Sequence, residues 1–144
     1  MNDDVLAIQA LIFRYAELVD CGDFDGLADL FSYGVFRTEG VPATLTGAGV
    51  REAMASTVVL YDGVPRTKHV SSNVVVEVDS GATAANARCY FTVFQALTDF
   101  PLQAVVAGRY HDRFEKVDGG WRFAERVIHI DLLGDTSRHL SISL

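Results

Sequence analysis

The hydrophobic pattern of this 144-residue chain changes its period once, near Pro65. Before that point the apolar residues recur every three or four positions, which is the spacing of one face of an amphipathic helix. After it, apolar and polar residues alternate, and β-branched and aromatic residues become frequent, which predicts strands. Helices followed by consecutive strands, with no crossover helices between those strands, predict an α+β fold built on an antiparallel sheet.

Turn residues divide each half of the chain into elements. In the first half the pattern predicts a helix over Val5–Val19 capped by Asp3 or Asp4, a short helix carrying Phe24 to Phe31, a strand over Val35–Glu39 and a helix over Gly47–Leu60. In the second half it predicts strands over His69–Asp79, Thr83–Leu97, Val105–Val117 and Trp121–Leu132, joined by hairpin turns. A helical layer across such a curved sheet leaves a space between the two layers, and we expect a ligand cavity there.

Composition and charge exclude several kinds of partner. The formal net charge is −7 and the pI is near 4.9, so the chain lacks the clustered cations that a nucleic-acid surface needs. Charged residues interrupt every apolar run before it reaches the roughly 18 residues that a membrane helix requires. Cys21 and Cys89 show no CxxC spacing. We therefore expect one domain over residues 1–144, in the cytoplasm, with free thiols and with neither nucleic acid nor membrane as a partner.

Asp20 and His69 are the residues that best fit a catalytic pair. Asp20 follows the first predicted helix and His69 opens the long sheet, so both are expected at the mouth or floor of the cavity. A carboxylate beside a neutral imidazole fixes its tautomer and makes it a general base. Without further information the sequence favours a simpler alternative, in which Asp20 caps or solvates the helix end and His69 lies on an exposed strand start. Tyr15, five positions before Asp20, lies close enough around the helix to face the same ligand.

Several short motifs along the chain resemble those of a known superfamily. They are Phe13-Arg14-Tyr15, Asp20, Gly22-Asp23-Phe24-Asp25-Gly26-Leu27, Leu30-Phe31, Lys68-His69, Gly108-Arg109-Tyr110 and Gly120-Trp121-Arg122-Phe123. Over about residues 5 to 131 the chain is similar to the nuclear transport factor 2-like superfamily, in its SnoaL-like branch. The resemblance implies a cone-shaped fold, with N-terminal helices packed on a curved, mainly antiparallel sheet that encloses a cavity.

The resemblance also implies a chemistry for the pair. Asp20 and His69 match the Asp–His dyad of scytalone dehydratase, hexachlorocyclohexane dehydrochlorinase and the bile acid 7α-dehydratases. In those families the histidine removes a proton, the aspartate orients it, and water or chloride leaves. Tyr15 matches a pocket tyrosine of the bile acid dehydratases and ketosteroid isomerases. The implied function is a cofactor-independent lyase or isomerase acting on a small hydrophobic cyclic molecule, with no cofactor and no metal ion.

Two other functions remain open at this point. Glu39 falls near the carboxylate base of ketosteroid isomerases, which would leave Tyr15 in an oxyanion hole with Tyr110 or Asp112 as second donor. His129 shares the parity of Phe123 on the last predicted strand and is a candidate for the cavity wall. Alternatively, the domain is a non-catalytic module that binds a small molecule or mediates oligomerisation.

The strands carry more apolar residues than one buried face requires. They lie on both parities of neighbouring strands, at Tyr90, Phe91, Val93, Phe94, Leu97 and Val105. This surplus predicts burial of the outer sheet face against a second copy of the chain. We expect a homo-oligomer that buries at least about 1,200 Å² in total. The resemblance favours a dimer, although trimers occur in the dehydratase branch.

Overall fold

The structure, a computed structural model, describes residues 2–144. Its helices are α1 (Asn2–Asp20), α2 (Phe24–Leu30) and α3 (Ala48–Thr57). Its strands are β1 (Val35–Thr38), β2 (Thr44–Leu45), β3 (Thr67–Val78), β4 (Ala84–Leu97), β5 (Phe100–Val117) and β6 (Gly120–Leu133). They form one curved sheet in the order β2-β1-β6-β5-β4-β3, with the N-terminal helices on one face. The predicted α+β class is confirmed.

The helices extend beyond or stop short of their predicted limits for identifiable reasons. Asp3 and Asp4 lie inside the first turn of α1 instead of capping it, where a negative charge favours the helix dipole. α3 ends at Thr57 because Val58 is extended and pairs with Leu140 from the far end of the chain. None of the helices within residues 2–144 is long and apolar enough to cross a membrane.

The sheet departs from a simple meander at its edge and at one of its hairpins. β1 pairs in parallel with β6, although four strands lie between them in the chain. The two-residue strand β2, which the pattern did not predict, then covers β1. The turn expected at Pro101 is formed by Thr98 and Asp99 instead, so Pro101 lies inside β5. The remaining pairings β3–β4, β4–β5 and β5–β6 are antiparallel, as expected.

A β-bulge in the β5–β6 pair changes which residues of β6 face the helices. Phe114 pairs with Phe123, whereas the preceding residue of β5 pairs with Glu125, so Ala124 is an extra residue. Side chains alternate along a strand, and one extra residue therefore reverses the alternation. Phe123 faces the helices, and beyond the bulge Arg126 returns to that same inner face.

Contacts along its length hold α1 on the inner face of the sheet. The buried stripe of the helix consists of Ile8, Ile12, Tyr15, Leu18 and Val19. At the N-terminal end the Asp4 carboxylate accepts hydrogen bonds from Lys116 Nζ (3.0 Å) and Trp121 Nε1 (2.8 Å) of the β5–β6 hairpin. These contacts therefore hold α1 in place independently of the contact that its last residue, Asp20, makes with β3.

The chain after β6 folds back against the helical layer and the β4–β5 turn. We call residues 134–144 the C-terminal strap. Its Leu140 pairs with Val58, and the Arg138 guanidinium forms a two-pronged ion pair with Asp99 at 3.0 and 3.1 Å. The strap is thereby attached to both the helical layer and the β4–β5 turn. It brings residues that are distant in sequence next to the beginning of β3.

Candidate functional site

The site is built where α1 ends and β3 begins. α1 stops after Asp20 because Gly22 adopts φ +71°, a left-handed conformation that allows its N–H to bond the Val19 carbonyl at 2.9 Å. A Cβ atom at this position would lie 2.2 Å from the Gly63 oxygen, so the close approach of the next loop also requires glycine. Asp20, the last residue of α1, contacts His69, the third residue of β3.

Asp20 and His69 form a buried hydrogen-bonded pair. Nδ1 of His69 lies 2.6 Å from Oδ1 of Asp20, and the two side chains are 8% and 11% exposed. Oδ2 accepts the His69 backbone N–H at 2.8 Å, and Oδ1 accepts the Thr67 hydroxyl at 2.8 Å. Burial alone would raise the pKa of Asp20, but these hydrogen bonds and the His69 charge lower it below its ordinary value. The ionised carboxylate holds the proton on Nδ1, which leaves the lone pair of the imidazole on Nε2.

An opening in the surface leads to the Asp20 side of this pair. It has a volume of about 490 Å³, and its lining includes Asp20, Thr67 and Gln95, the apolar Phe94 and Leu102 and the basic Arg66 and Lys68, but not His69. It reaches the carboxylate from the end of β3. A small molecule could approach the Asp20 carboxylate through it.

Tyr15 and Tyr110 lie in an aromatic cluster next to the pair. The Tyr15 ring is 6.3 Å from that of His69 and 5.7 Å from that of Tyr110, in edge-to-face contacts, and it stacks on Phe36 at 6.2 Å. Phe91 stacks on Tyr110 at 4.4 Å. Burial raises the pKa of Tyr15 to about 12 and that of Tyr110 well above 10. Both phenols are therefore neutral hydrogen-bond donors at neutral pH.

Arg126, which sequence reasoning missed, lies at the centre of this cluster. Its fully buried guanidinium donates from Nε and Nη2 to the Asp112 carboxylate at 2.8 and 2.9 Å. Its Cζ lies 3.7 Å from the centre of the Tyr110 ring and 4.4 Å from that of Tyr15. Burial works against the charge, but the Asp112 carboxylate outweighs it and raises the pKa of Arg126. Strict alternation from Phe123 would place Arg126 outside; only the bulge brings it in.

Four further predicted residues divide between the two faces of the sheet. Tyr110 and Asp112 lie on the inner face as expected, but the expected donor role of Asp112 is corrected, because both of its oxygens accept from Arg126. His129 and Glu39 are on the outer face. They line a groove there with His111, whose ring is 4.7 Å from that of His129.

The placement of His129 and Glu39 corrects two predictions. The bulge reverses the alternation of β6, so His129 pairs with Arg109 on the outer face and does not contact the cavity. Glu39 follows β1 with 61% of its side chain exposed and interacts with Arg37 at 3.6 Å. A base at Glu39 would be separated from Tyr15 by the thickness of the sheet, so the isomerase-like arrangement is wrong for this chain.

A histidine from the C-terminal strap occupies the place next to His69. His139 is 5% exposed, and its ring lies 6.3 Å from the His69 ring. Burial, and to a smaller extent the His69 charge, lowers the pKa of His139 to about 4. Sequence reasoning missed it because no local pattern marks a residue that follows the last strand. The signal available was only its residue type.

Not every buried polar atom among the described residues has a hydrogen-bond partner. Between residues 2 and 144, three buried side-chain atoms have no hydrogen-bond partner: Gln95 Oε1, Arg126 Nη1 and His139 Nδ1. Unpartnered buried groups are rare in native proteins and commonly mark a position for a ligand or a water molecule. In the same part of the chain no three His, Cys, Asp or Glu side chains are arranged to hold a metal ion.

Comparisons with known proteins agree with this architecture. The profile of the SnoaL-like domain family matches residues 2–127. A search of curated proteins found no match. A candidate aromatic ring hydroxylase from Novosphingobium aromaticivorans superposes with a TM-score of 0.73 at 26% identity, over 96% of this chain and 97% of its own. A protein of unknown function from Mycobacterium tuberculosis gives 0.73 at 29% identity, over 97% and 77%.

A third solved structure shares the fold at lower identity. It is a candidate scytalone dehydratase from Novosphingobium aromaticivorans, with a TM-score of 0.71 at 24% identity, over 94% of this chain and 91% of its own. At that identity the likeness concerns the arrangement of helices and sheet alone.

Removing the counter-ion of Arg126 should destabilise the protein strongly. Asp112→Ala leaves a buried guanidinium without its carboxylate, and we expect a loss of about 3–5 kcal/mol in the free energy of unfolding. Urea denaturation followed by circular dichroism measures this loss. Asp131→Ala, which breaks the exposed Arg109–Asp131 pair between the same two strands, is the matched control and should leave the midpoint nearly unchanged. Equal effects of the two substitutions would contradict the importance of the buried pair.

The stability of the protein should fall between pH 6.5 and pH 4 because of His139. Its pKa is about 4 in the folded state, against an ordinary histidine value of 6.5, so the unfolded chain binds the additional proton in this range. Above pH 6.5 this histidine therefore does not reduce the free energy of unfolding. As the pH falls below 6.5, the free energy of unfolding decreases by up to about 3 kcal/mol because of this group. The lowered pKa of Asp20 acts separately, since its contribution is lost only below about pH 4.

Urea midpoints across this pH range test the assignment. His139→Leu should remove most of the slope, whereas His111→Asn, at an exposed position, should retain it. A slope that His139→Leu leaves intact would assign it to other groups.

Proposed function

The chain belongs to the SnoaL-like family of the nuclear transport factor 2-like superfamily, and we propose that it is a cofactor-independent lyase acting on a small hydrophobic cyclic molecule. The observation that carries the proposal is the buried 2.6 Å contact between Asp20 and His69. It gives an imidazole a fixed tautomer, and Asp20 lines an opening large enough for a small molecule. The name of the candidate scytalone dehydratase among the structural neighbours supports the same reaction class.

The proposed reaction is the elimination of water from a β-hydroxyketone. His69 Nε2 removes the proton from the carbon next to the carbonyl group, and the electron pair of that C–H bond forms the carbon–carbon double bond. The C–O bond to the hydroxyl group breaks, and the imidazolium returns its proton to the departing oxygen, which leaves as water. No electron is transferred, so the step itself requires no redox group. Asp20 remains ionised and stabilises the imidazolium while it exists.

Tyr15 is proposed to bind the carbonyl oxygen of the substrate. Proton removal places negative charge on that oxygen, and a neutral phenol can donate a hydrogen bond to it. The pKa of about 12 keeps Tyr15 protonated for this purpose. The Arg126 guanidinium, 4.4 Å from the centre of the Tyr15 ring, fixes the ring position and adds positive potential.

The proposal also includes the location of the protein in the cell and its oligomeric state. A cytoplasmic location is supported by the two cysteines, which are both free although Cys21 is exposed. A homodimer through the outer sheet face is supported by Tyr90, which is 57% exposed on that face and pairs with Arg109. The groove beside it carries charges of both signs, which can complement those of a second copy.

Loss of the base should abolish proton removal. 1-Tetralone has acidic hydrogens next to its carbonyl and no leaving group, so its hydrogen–deuterium exchange in D₂O, followed by NMR, reports the base alone. 3-Hydroxy-1-tetralone additionally loses water and forms 1-naphthol, which is read by fluorescence. We expect His69→Gln to reduce both rates by about 10²–10⁴-fold, with a similar loss for Asp20→Asn.

The control for these variants is His129→Gln, since His129 lies on the outer face. It should exchange and eliminate at the rate of the parent chain. Binding of the tetralones without exchange, in a folded parent protein, would instead favour a non-catalytic binding module. Exchange that persists in folded His69→Gln would exclude His69 as the base.

Association through the outer face should depend on Tyr90. Sedimentation equilibrium at micromolar concentration is expected to give twice the 15.7 kDa mass of the chain. Tyr90→Glu places a charge at the centre of the proposed contact and should shift the protein towards 15.7 kDa. Leu6→Glu, at an exposed position on α1, should leave the mass unchanged. A parent chain that sediments only as a monomer contradicts the proposal.

A further inference from the structure

Gln95 holds a single orientation in which its carbonyl oxygen has no partner. Its Nε2 donates to the Pro65 carbonyl at 3.1 Å and to the Arg138 carbonyl at 3.0 Å. Both partners can only accept, so the NH₂ group must face them and the amide cannot be reversed. Oε1 is then the unpartnered end of a side chain that is 1% exposed. A buried acceptor of this kind is completed only by a group that donates a hydrogen.

His139 brings a second unpartnered atom into the same region. It follows Arg138, whose carbonyl Gln95 contacts, and its backbone carbonyl accepts the Val59 N–H at 2.9 Å. Its Nδ1 is buried and has no partner, while its ring is 6.3 Å from that of His69. Because its pKa is about 4, the ring is neutral at neutral pH and Nδ1 can donate or accept a single hydrogen bond.

The strap holds these atoms in place independently of any ligand. Tyr61 donates to the Arg138 carbonyl at 2.6 Å, and Arg138 itself is paired with Asp99. On the other side of His139, the Ser141 hydroxyl donates to the Ser56 carbonyl at 2.8 Å. The backbone on both sides of His139 is therefore fixed, and the orphaned atoms cannot be explained by a loose segment.

We propose that Gln95 and His139 form a subsite that binds a hydroxyl group of the molecule held at Asp20 and His69. A hydroxyl group donates one hydrogen bond and accepts others, so it has the chemistry that both orphaned atoms require, as a donor to Gln95 Oε1 and as an acceptor from His139 Nδ1. A ketone or an ether oxygen cannot satisfy Oε1. The inference deepens the proposed function and rests on it for the location of the ligand: it assigns Gln95 and His139 to the hydroxyl group of the substrate and makes His139 a specificity-determining residue.

The experiment compares two probes that differ by one hydroxyl group, 1-tetralone and 3-hydroxy-1-tetralone. Their dissociation constants are measured by calorimetry on His69→Gln protein, so that neither probe is consumed. We expect the hydroxylated probe to bind about tenfold more tightly, as one or two buried hydrogen bonds would give. Adding His139→Leu should bring this ratio close to one while leaving the affinity for 1-tetralone unchanged.

Two additional variants separate a binding role from a structural one. His139→Asn places an amide nitrogen near the position of Nδ1 and should recover part of the ratio. Ser141→Ala removes a strap hydrogen bond without touching the subsite and should keep the full ratio. A general loosening of the strap would weaken both probes together in every variant.

The outcomes for this subsite and for the proposed lyase are distinct. Absence of deuterium exchange in the parent protein refutes the lyase, but a hydroxyl preference that depends on His139 still establishes the subsite. The subsite is overturned if His69→Gln protein shows no preference or binds neither probe, or if the preference survives in His139→Leu. Circular dichroism of each variant identifies any that fails to fold, and for those His139→Asn supplies the comparison.

Discussion

The buried ion pair between Arg126 and Asp112 is the interaction on which the rest of the interior depends. Removing two charges from water costs several kcal/mol for each ion, and only two good hydrogen bonds and favourable surroundings offset that cost. The rings of Tyr15 and Tyr110 supply those surroundings on the faces of the guanidinium. Because Tyr15 belongs to α1 and Tyr110 to β5, the pair joins the helical layer to the sheet. The same contacts help to hold α1, which ends at Asp20, on the sheet.

The regular elements could be predicted from the sequence because their hydrophobic periods are local. The stripe of α1 and the alternation of β3 to β5 each follow from residues that are close in the chain. The closeness of Asp20 and His69 could be predicted as well, although from a resemblance and not from spacing. The parallel pairing of β1 with β6 could not, since it depends on where the chain returns after three hairpins.

The residues that sequence reasoning missed share one physical cause, which is that tertiary structure overrides a local pattern. The extra residue Ala124 reverses the alternation of β6, so Arg126 turns inward and His129 turns outward, each opposite to the expectation. His139 lies beyond the last strand and reaches the site only because the strap pairs with Val58, just past the end of α3. Neither a bulge nor a returning segment leaves a periodic signal. The hydrophobic pattern therefore could not identify Arg126 and His139, which lie next to the site.

Some polar groups around the Asp20–His69 pair have all of their hydrogen-bond partners, whereas others lack one. Both oxygens of Asp20 accept hydrogen bonds, from His69 and Thr67, so the carboxylate is complete without a ligand. Gln95 and His139 each retain one unpartnered atom although their other contacts are fixed. A buried network with missing partners costs stability, because each orphaned atom loses its interaction with water and gains none. The cost is explained if the missing partners arrive with the ligand, and the free energy that they recover then contributes to binding.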